Sequence, residues 1–237
     1  MEQKSNKKRL FLVLKFAVSS AFLYFVLKKA GAGNVVTHLF SVDPLYFLAA
    51  VVVYIIATYI SAVRWKLFLD EDIGLGRLFS LYMIGTFFNN VMPGMVGGDA
   101  VKAYYLYSDT KRGGSSLGSV FMDRYSGLFA LLSIGLVTSM FVLDELGEIG
   151  MQWAMPLLFG TFIIGTAVVL GLRAGRRVKV VGEFYDHFIR YLRNREVMVK
   201  TFLLSIVIQL LAILMIYFII LGMGQSPSFI SLFVFMP

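Results

Sequence analysis

A short polar segment interrupts an apolar region of this chain and holds side chains that could bind an anion. Its sequence is Asn89-Asn90-Val91-Met92-Pro93-Gly94-Met95-Val96-Gly97-Gly98-Asp99, and Lys102 follows one helical turn later. Backbone amides at Gly97 and Gly98 before a helix, with a lysine one turn in, are donors suited to phosphate. Asp99 would repel that anion, so we expect it to cap the helix 100–107, or to hold Lys102 or an arginine in place.

The same segment should break a helix. Pro93 lacks an amide hydrogen and Gly94 permits sharp bends, so a helix that enters the segment is expected to end there. Asn89 and Asn90 could bind a ligand, or they could satisfy the backbone carbonyls that the break leaves free. The sequence leaves both roles open.

A second pair of charges, Asp123 and Arg124, lies about two turns inside a helix predicted to begin near residue 115. Each charge costs about 2.5 to 3.5 kcal/mol at a bilayer centre by insertion scales, so each needs a partner. Neighbours on a helix point about 100° apart and cannot pair face to face, which leaves Arg64, Asp99 and Lys102 as candidate partners. These charges form either a structural ion-pair knot or the lining of a path for a polar head group, and we favour the lining.

Arg64 belongs to the triplet Arg64-Trp65-Lys66 at the end of an apolar run. Such a triplet commonly anchors a helix at the membrane interface. Because the polar segment follows closely, we also treat Arg64 as a candidate head-group contact.

Composition places these residues in a membrane protein. Apolar residues make up 58% of the 237-residue chain, against roughly 45 to 50% in soluble domains. The longest apolar runs are 10–27, 44–65, 117–143, 153–172 and 201–222. Runs of this kind approach the roughly 20 residues that cross a bilayer as a helix. The predicted fold class is therefore an all-α polytopic membrane protein, and we assign the net charge of +8 to loops and anionic lipid rather than to nucleic-acid binding.

The loop charges predict the topology. The basic N-terminal residues place the N-terminus in the cytoplasm, the acidic turn 144–148 outside and the basic segment 173–179 inside. These assignments agree if 78–107 enters and leaves on the cytoplasmic side as a re-entrant hairpin. Its first arm, 78–92, would be about 22 Å long as a helix, shorter than a hydrocarbon core of about 30 Å.

A predicted amphipathic helix covers 180–198, and we expect it to lie on the cytoplasmic membrane surface. The spacing Gly114-x-x-x-Gly118 is that of small residues where helices pack closely, although it lies at a helix end and is a weak signal. The last residues begin another apolar segment. The single transmembrane domain 1–237 is therefore expected to be truncated.

Several chemistries find no support in the residue pattern. His38 and His187 are isolated and cysteine is absent, so no metal site is expected. We find no nucleotide-binding glycine loop and no nucleophile elbow, and we assign neither a cofactor nor a catalytic residue.

Three groups of residues resemble a known family. They are Arg64-Trp65, then Asn90-x-x-Pro93-Gly94-x-x-Gly97-Gly98-Asp99-x-x-Lys102, then Asp123-Arg124-x-x-Gly127. With these motifs, residues 5–237 resemble the lysylphosphatidylglycerol synthase transmembrane family, flippase-like proteins that include the membrane domain of the multiple peptide resistance factor. Where the family commonly has arginine, this chain has Lys102, which keeps the charge but loses the bidentate fork.

The resemblance implies a function in lipid transfer, because that membrane domain moves aminoacylated phosphatidylglycerol to the outer leaflet. We expect a multi-pass protein of the cytoplasmic membrane that binds an anionic or sugar-linked phospholipid and moves it between leaflets. The expected head-group contacts are Lys102, Arg124, Arg64, Asn89, Asn90, Gly97 and Gly98, with Asp99 and Asp123 as charge organisers. A second glycine-rich hairpin is implied beyond Pro237, as the other half of an inverted pair.

Other functions are compatible with the same residues. An intramembrane lipid-modifying enzyme could use Asp99 or Asp123 as a base. A non-catalytic membrane subunit could dock a partner through its amphipathic helix, and an ion channel or a homo-oligomer is also compatible with this sequence.

Overall fold

The computed structural model describes residues 41–91, 97–143, 150–172 and 179–226, and the single positions 24, 25, 28, 147 and 232. This part of the chain forms α-helices and no strand. The helices are α1 (Pro44–Lys66), α2 (Leu75–Val91), α3 (Gly97–Thr110), α4 (Gly113–Ser139), α5 (Ala154–Leu172), α6 (Lys179–Arg193) and α7 (Arg195–Gly222).

Three of these helices, α1, α4 and α7, are long and apolar enough to span a membrane. In α5, the segment Ala154–Val168 is also apolar but shorter. These findings confirm the prediction of an all-α polytopic membrane protein. The predicted helix 10–27, the acidic turn 144–148 and the basic segment 173–179 lie almost entirely outside the described residues.

The spanning helices pack side by side, and hydrogen bonds join α1 to α7 at two levels. The backbone amide of Asp43, before α1, donates to the carbonyl of Gly222 at the end of α7 over 2.9 Å. At the other end of α1, Arg64 donates to Ser205, in the first half of α7, at 2.8 Å. The two helices are therefore antiparallel, and the aromatic pair Phe129–Phe202, with ring centroids 5.3 Å apart, ties α4 to α7.

An antiparallel hairpin of α2 and α3 lies against this frame. At its base, Arg77 contacts Asp109 at 2.9 Å, and near its tip the amide of Gly98 donates to Asn89 at 2.8 Å. The start of α2 and the end of α3 both lie beside the end of α1 and the start of α4. The chain therefore enters and leaves the hairpin on one face of the helix bundle. This is the geometry that a re-entrant hairpin needs, and the cytoplasmic position of that face stays a prediction.

The arms of the hairpin have different bounds from those expected. The helix α2 has 17 residues, about 26 Å of helix, which is still shorter than a hydrocarbon core of about 30 Å. The helix α3 begins at Gly97, so Asp99 lies in its first turn. The expectation that Asp99 precedes a helix 100–107 as its cap is therefore wrong. Pro93 and Gly94 lie outside the described residues, between the end of α2 and the start of α3.

The predicted amphipathic helix is present but ends earlier than expected. It is α6, Lys179–Arg193, and Asn194 then starts α7 by accepting a hydrogen bond from the amide of Val197 at 3.3 Å. An asparagine that caps the next helix separates the two, so the expected extension to 198 is wrong. The predicted span 201–222 accordingly begins six residues earlier, at Arg195.

The apolar face of α6 packs on protein. Phe188 and Tyr191 are buried with Phe68 and Met122. A Cβ atom added at Gly114 would lie 2.2 Å from a carbon of Glu183, and one at Gly118 would lie 2.8 Å from the His187 ring. The two glycines let α6 approach α4 closely, as their spacing indicated.

His187 is held in this contact, and we expect it to make α6 sensitive to pH. It is 3% exposed, and its Nε2 lies 3.1 Å from the carbonyl oxygen of Phe68. Burial lowers the pKa of His187 below its usual value, against the opposing attraction of the Asp70 carboxylate. The unfolded chain therefore binds a proton more readily than the folded chain, so stability falls as pH drops below about 6.5.

The measurement is the thermal unfolding midpoint in detergent between pH 8 and pH 5.5. Acidification should lower the midpoint of the native protein more than that of a His187→Gln variant. The two curves should run parallel above pH 7. Equal acid sensitivity in both proteins would show that His187 does not titrate in this contact.

Candidate functional site

Side chains from several helices meet at one buried carboxylate, that of Asp123 on α4. Arg64 donates from Nε at 3.0 Å and from Nη2 at 2.8 Å to Oδ1. The Tyr82 hydroxyl donates to Oδ2 at 2.5 Å, and the Lys102 ammonium lies 3.4 Å from the same oxygen. We call Arg64, Tyr82, Lys102 and Asp123 the charge cluster. It joins α1, α2, α3 and α4 at one point.

The charge cluster is closed to solvent. Asp123 is 0% exposed, Lys102 2% and Arg64 5%. One net positive charge remains among these three side chains. Removing one partner from a buried group of this kind is costly, because it leaves an uncompensated charge away from water.

Lys102 is enclosed by aromatic rings as well as by the carboxylate. Its Nζ lies 3.6 Å from the centroid of the Tyr82 ring and 4.4 Å from that of Trp65. The Trp65 indole donates to Ser119 Oγ at 3.3 Å, which fixes the ring. The stem of Lys102 lies against Gly85, where an added Cβ would approach it to 2.6 Å. Cation–π contacts of this kind strengthen when the cation is desolvated.

Burial of Arg64 and Trp65 corrects one interpretation of the sequence. Trp65 is 0% exposed and Arg64 points into the protein, so neither anchors α1 at a membrane surface. The third member of the triplet, Lys66, is half-buried and contacts the exposed Asp72 at 2.9 Å.

Arg124 has a different setting from its neighbour Asp123. Its Nε and Nη2 atoms contact the two oxygens of Asp99 on α3 at 2.7 and 3.0 Å, a bidentate pair. The Arg124 side chain is 56% exposed and that of Asp99 16% exposed. As expected, the adjacent residues Asp123 and Arg124 do not pair with each other, and Asp99 holds an arginine.

One of the backbone amides expected to bind an anion, that of Gly98, is used within the hairpin. The Gly98 amide donates to Asn89 Oδ1, so in this conformation that amide is not free for a ligand. Close packing accompanies this bond, because a Cβ added at Gly98 would lie 1.8 Å from the Gly85 carbonyl oxygen. Asn90 is exposed, and Gly97 is partly buried at the first position of α3.

A cavity of about 870 Å³ opens where the hairpin base meets α4 and α6. Its ionisable lining residues, other than tyrosines, are Asp70, Lys111, Arg112, Glu183, Asp186, His187 and Arg190. A smaller apolar cavity of about 360 Å³ continues along α3 toward the tip and shares Ala100 and Tyr104 with the first. Along α3, the larger cavity is therefore polar and lies at the hairpin base, and the smaller cavity is apolar and lies nearer the tip.

An exposed stripe on α4 connects the larger cavity to Arg124. Leu117 lines the cavity, and Phe121 and Arg124 follow at helical spacing on the same face. Leu117 and Phe121 are 47% and 45% exposed. Arg124 lies about 9 Å further along α4 than Gly118, the level at which α6 packs.

Sequence reasoning missed two parts of this site. Tyr82 lies in an apolar run and Ser205 in the most apolar span, and no local pattern marks either as a partner of a buried charge.

Among the described residues, no three acidic or histidine side chains lie close enough together to hold a metal ion.

The spans, the hairpin and the buried charges define a polytopic α-helical membrane protein. More specifically, the chain belongs to the lysylphosphatidylglycerol synthase transmembrane region family, whose sequence profile matches residues 12–237. The resemblance inferred from the three motifs is thereby confirmed.

Archaeal membrane proteins of the UPF0104 group are similar to this chain. One from Methanocaldococcus jannaschii is 27% identical over 179 residues, which are 73% of this chain and 44% of that protein. One from Pyrococcus horikoshii is 24% identical over 95% of this chain and 77% of its own length, and one from Methanothermobacter thermautotrophicus is 24% identical over 94% and 75%. The chain thus spans less than half of the first relative. No solved structure matches it.

Proposed function

We propose that this protein binds the anionic head group of a membrane phospholipid at Arg124 and helps the lipid to pass between leaflets. The observation that carries the proposal is a half-exposed arginine within a spanning helix, joined by two hydrogen bonds to a carboxylate on a separate element. A charge inside a span is costly and commonly marks a pathway for polar groups. A guanidinium fork suits phosphate as well as carboxylate.

The surroundings of Arg124 support a lipid ligand. In the proposed path, the head group enters the cavity at the hairpin base, whose lining includes Lys111 and Tyr107, and follows the α4 stripe to Arg124. The acyl chains stay in the bilayer beside α3. The charge cluster, which is closed in this conformation, holds the hairpin in place. It also supplies a net positive charge close to Arg124.

The enzyme alternative finds less support in this geometry. Asp123 accepts hydrogen bonds from Arg64, Tyr82 and Lys102, and Asp99 is paired with Arg124. A carboxylate held by cations is a poor base, because the cations favour its charged form.

A variant of Arg124 tests the proposal. In vesicles containing a fluorescent anionic phospholipid, Arg124→Gln should slow leaflet transfer at least about ten-fold, the effect of losing charge-assisted hydrogen bonds worth about 1.5 kcal/mol or more. Transfer is followed by the fraction of label that an external reductant quenches.

The matched control is Arg77→Gln. Arg77 also makes a bidentate pair with an aspartate, Asp109, at 2.9 and 3.3 Å, but at the hairpin base. Its loss should leave transfer near the native rate. Native transfer by Arg124→Gln, or an equal loss in both variants, would contradict a specific role for Arg124.

A further inference from the structure

The pair Asp99–Arg124 and the pair Lys102–Asp123 both join α3 to α4, but they differ in how open they are. Lys102 and Asp123 are enclosed, with side chains 3% and 0% exposed. Arg124 is 56% exposed. An incoming anion can therefore reach Arg124 without opening the charge cluster.

The Asp99 carboxylate contacts the Arg124 guanidinium in the way that a phosphate would. Its two oxygens meet Nε and Nη2 of the same guanidinium, at 2.7 and 3.0 Å. A phosphate presents two oxygens in the same bidentate geometry. The two anions cannot both occupy this edge of the guanidinium, so they must compete for it.

The site also has a place for the displaced carboxylate. Asp99 lies in the first turn of α3, where the helix dipole stabilises a negative charge. Lys102, one turn further along, keeps α3 attached to α4 through Asp123. Release of Asp99 would free the first turn of α3 from α4 while the rest of α3 stays in place.

We propose that Asp99 is an internal competitor for the lipid phosphate: a bound head group takes its place on Arg124 and thereby releases the first turn of α3 from α4. This inference rests on the proposed function, since it concerns the same ligand at the same arginine. It adds that the empty site is closed by the protein's own anion. It also makes hairpin movement a consequence of binding.

Binding of dioctanoyl phosphatidic acid to the full chain in detergent tests the competition. Asp99→Asn removes the competing charge and should tighten binding about five- to ten-fold, because a larger fraction of Arg124 is then free. Asp99→Glu keeps a carboxylate and should bind as the native protein does. Asp109→Asn, the same change at the exposed pair with Arg77, is the control and should have no effect.

A distance measurement provides a second readout. The chain has no native cysteine, so spin labels can be attached to cysteines introduced at Ala100 in the first turn of α3 and at Leu128 on α4, both of which are exposed. The lipid should shift this distance in the otherwise native protein. The Asp99→Asn protein should show the shifted distance without lipid.

The outcomes separate the two proposals. If the native protein binds the lipid but Asp99→Asn binds it equally or more weakly, Asp99 is not a competitor and the inference is overturned, while the proposed function stands. If neither the native protein nor Asp99→Asn binds the lipid, the proposed function itself fails. A native protein that binds lipid with no change in distance would overturn the coupling to the hairpin.

Discussion

Replacing Asp123 by asparagine should destabilise the folded protein by about 3 to 5 kcal/mol, the cost of breaking a buried charge pair from one side. Asparagine has nearly the same shape, so the variant removes charge without creating a cavity. It leaves Arg64 and Lys102, each 5% exposed or less, as buried cations without their shared carboxylate. The free energy of unfolding, measured by denaturant titration in detergent micelles, gives the effect.

An exposed ion pair supplies the control for this variant. Glu196 contacts Lys200 at 2.6 Å, with side chains 76% and 57% exposed. Glu196→Gln makes the same chemical change and should alter stability by no more than about 0.5 kcal/mol. Equal effects in Asp123→Asn and Glu196→Gln would mean that the charge cluster does not hold the helices together.

A double variant shows whether Lys102 is part of the same unit. Adding Lys102→Met to Asp123→Asn removes one of the two stranded cations and keeps an apolar side chain against Trp65 and Tyr82. Part of the lost stability should return, so the two changes should be non-additive, as expected for groups in one network. Strict additivity would place Lys102 outside the network.

The charged residues of the site were predictable from the sequence, but their pairing and the partners Tyr82 and Ser205 were not. The cost of burying Asp123 and Arg124 required partners, and Arg64, Asp99 and Lys102 were the charges at hand. Which cation met which carboxylate depended on the rotation of α1, α3 and α4 about their axes. The amino-acid sequence determines the rotation of a spanning helix only weakly, because such a helix is apolar on every side and has no single face that must turn inward.

Local rules worked where one physical effect was dominant. Apolar runs predicted the spans, and the short arm with its Pro-Gly break predicted a hairpin. The rules failed where tertiary contacts outweighed local preference. Trp65 has the sequence of an interface anchor but fills the space beside Lys102, and the helix α3 begins at Gly97 because the Gly98 amide is satisfied by Asn89.

Gly98→Ala should have an effect as large as that of Asp123→Asn, and it should act on the hairpin alone. An added methyl group would lie 1.8 Å from the carbonyl oxygen of Gly85 and 2.7 Å from the side chain of Asn89. The first obstacle is backbone, so α2 and α3 must separate. We expect a loss of about 3 kcal/mol, at the upper end of the range for overpacking.

Gly76→Ala is the matched control on the other arm. No atom outside the helix lies within 4 Å of the position its Cβ would take. Alanine favours a helix over glycine by about 0.5 to 1 kcal/mol, so this variant should be neutral or slightly more stable. The opposite signs of two identical substitutions would separate the effect of hairpin packing from that of helix propensity.

A distance measurement across the hairpin shows what Gly98→Ala does to the structure. Met83 on α2 and Tyr105 on α3 are 39% and 38% exposed and can carry spin labels on introduced cysteines. The distance distribution should broaden in Gly98→Ala and stay narrow in Gly76→Ala. A narrow distribution and native stability in Gly98→Ala would mean that α2 and α3 do not touch at Gly85 and Gly98.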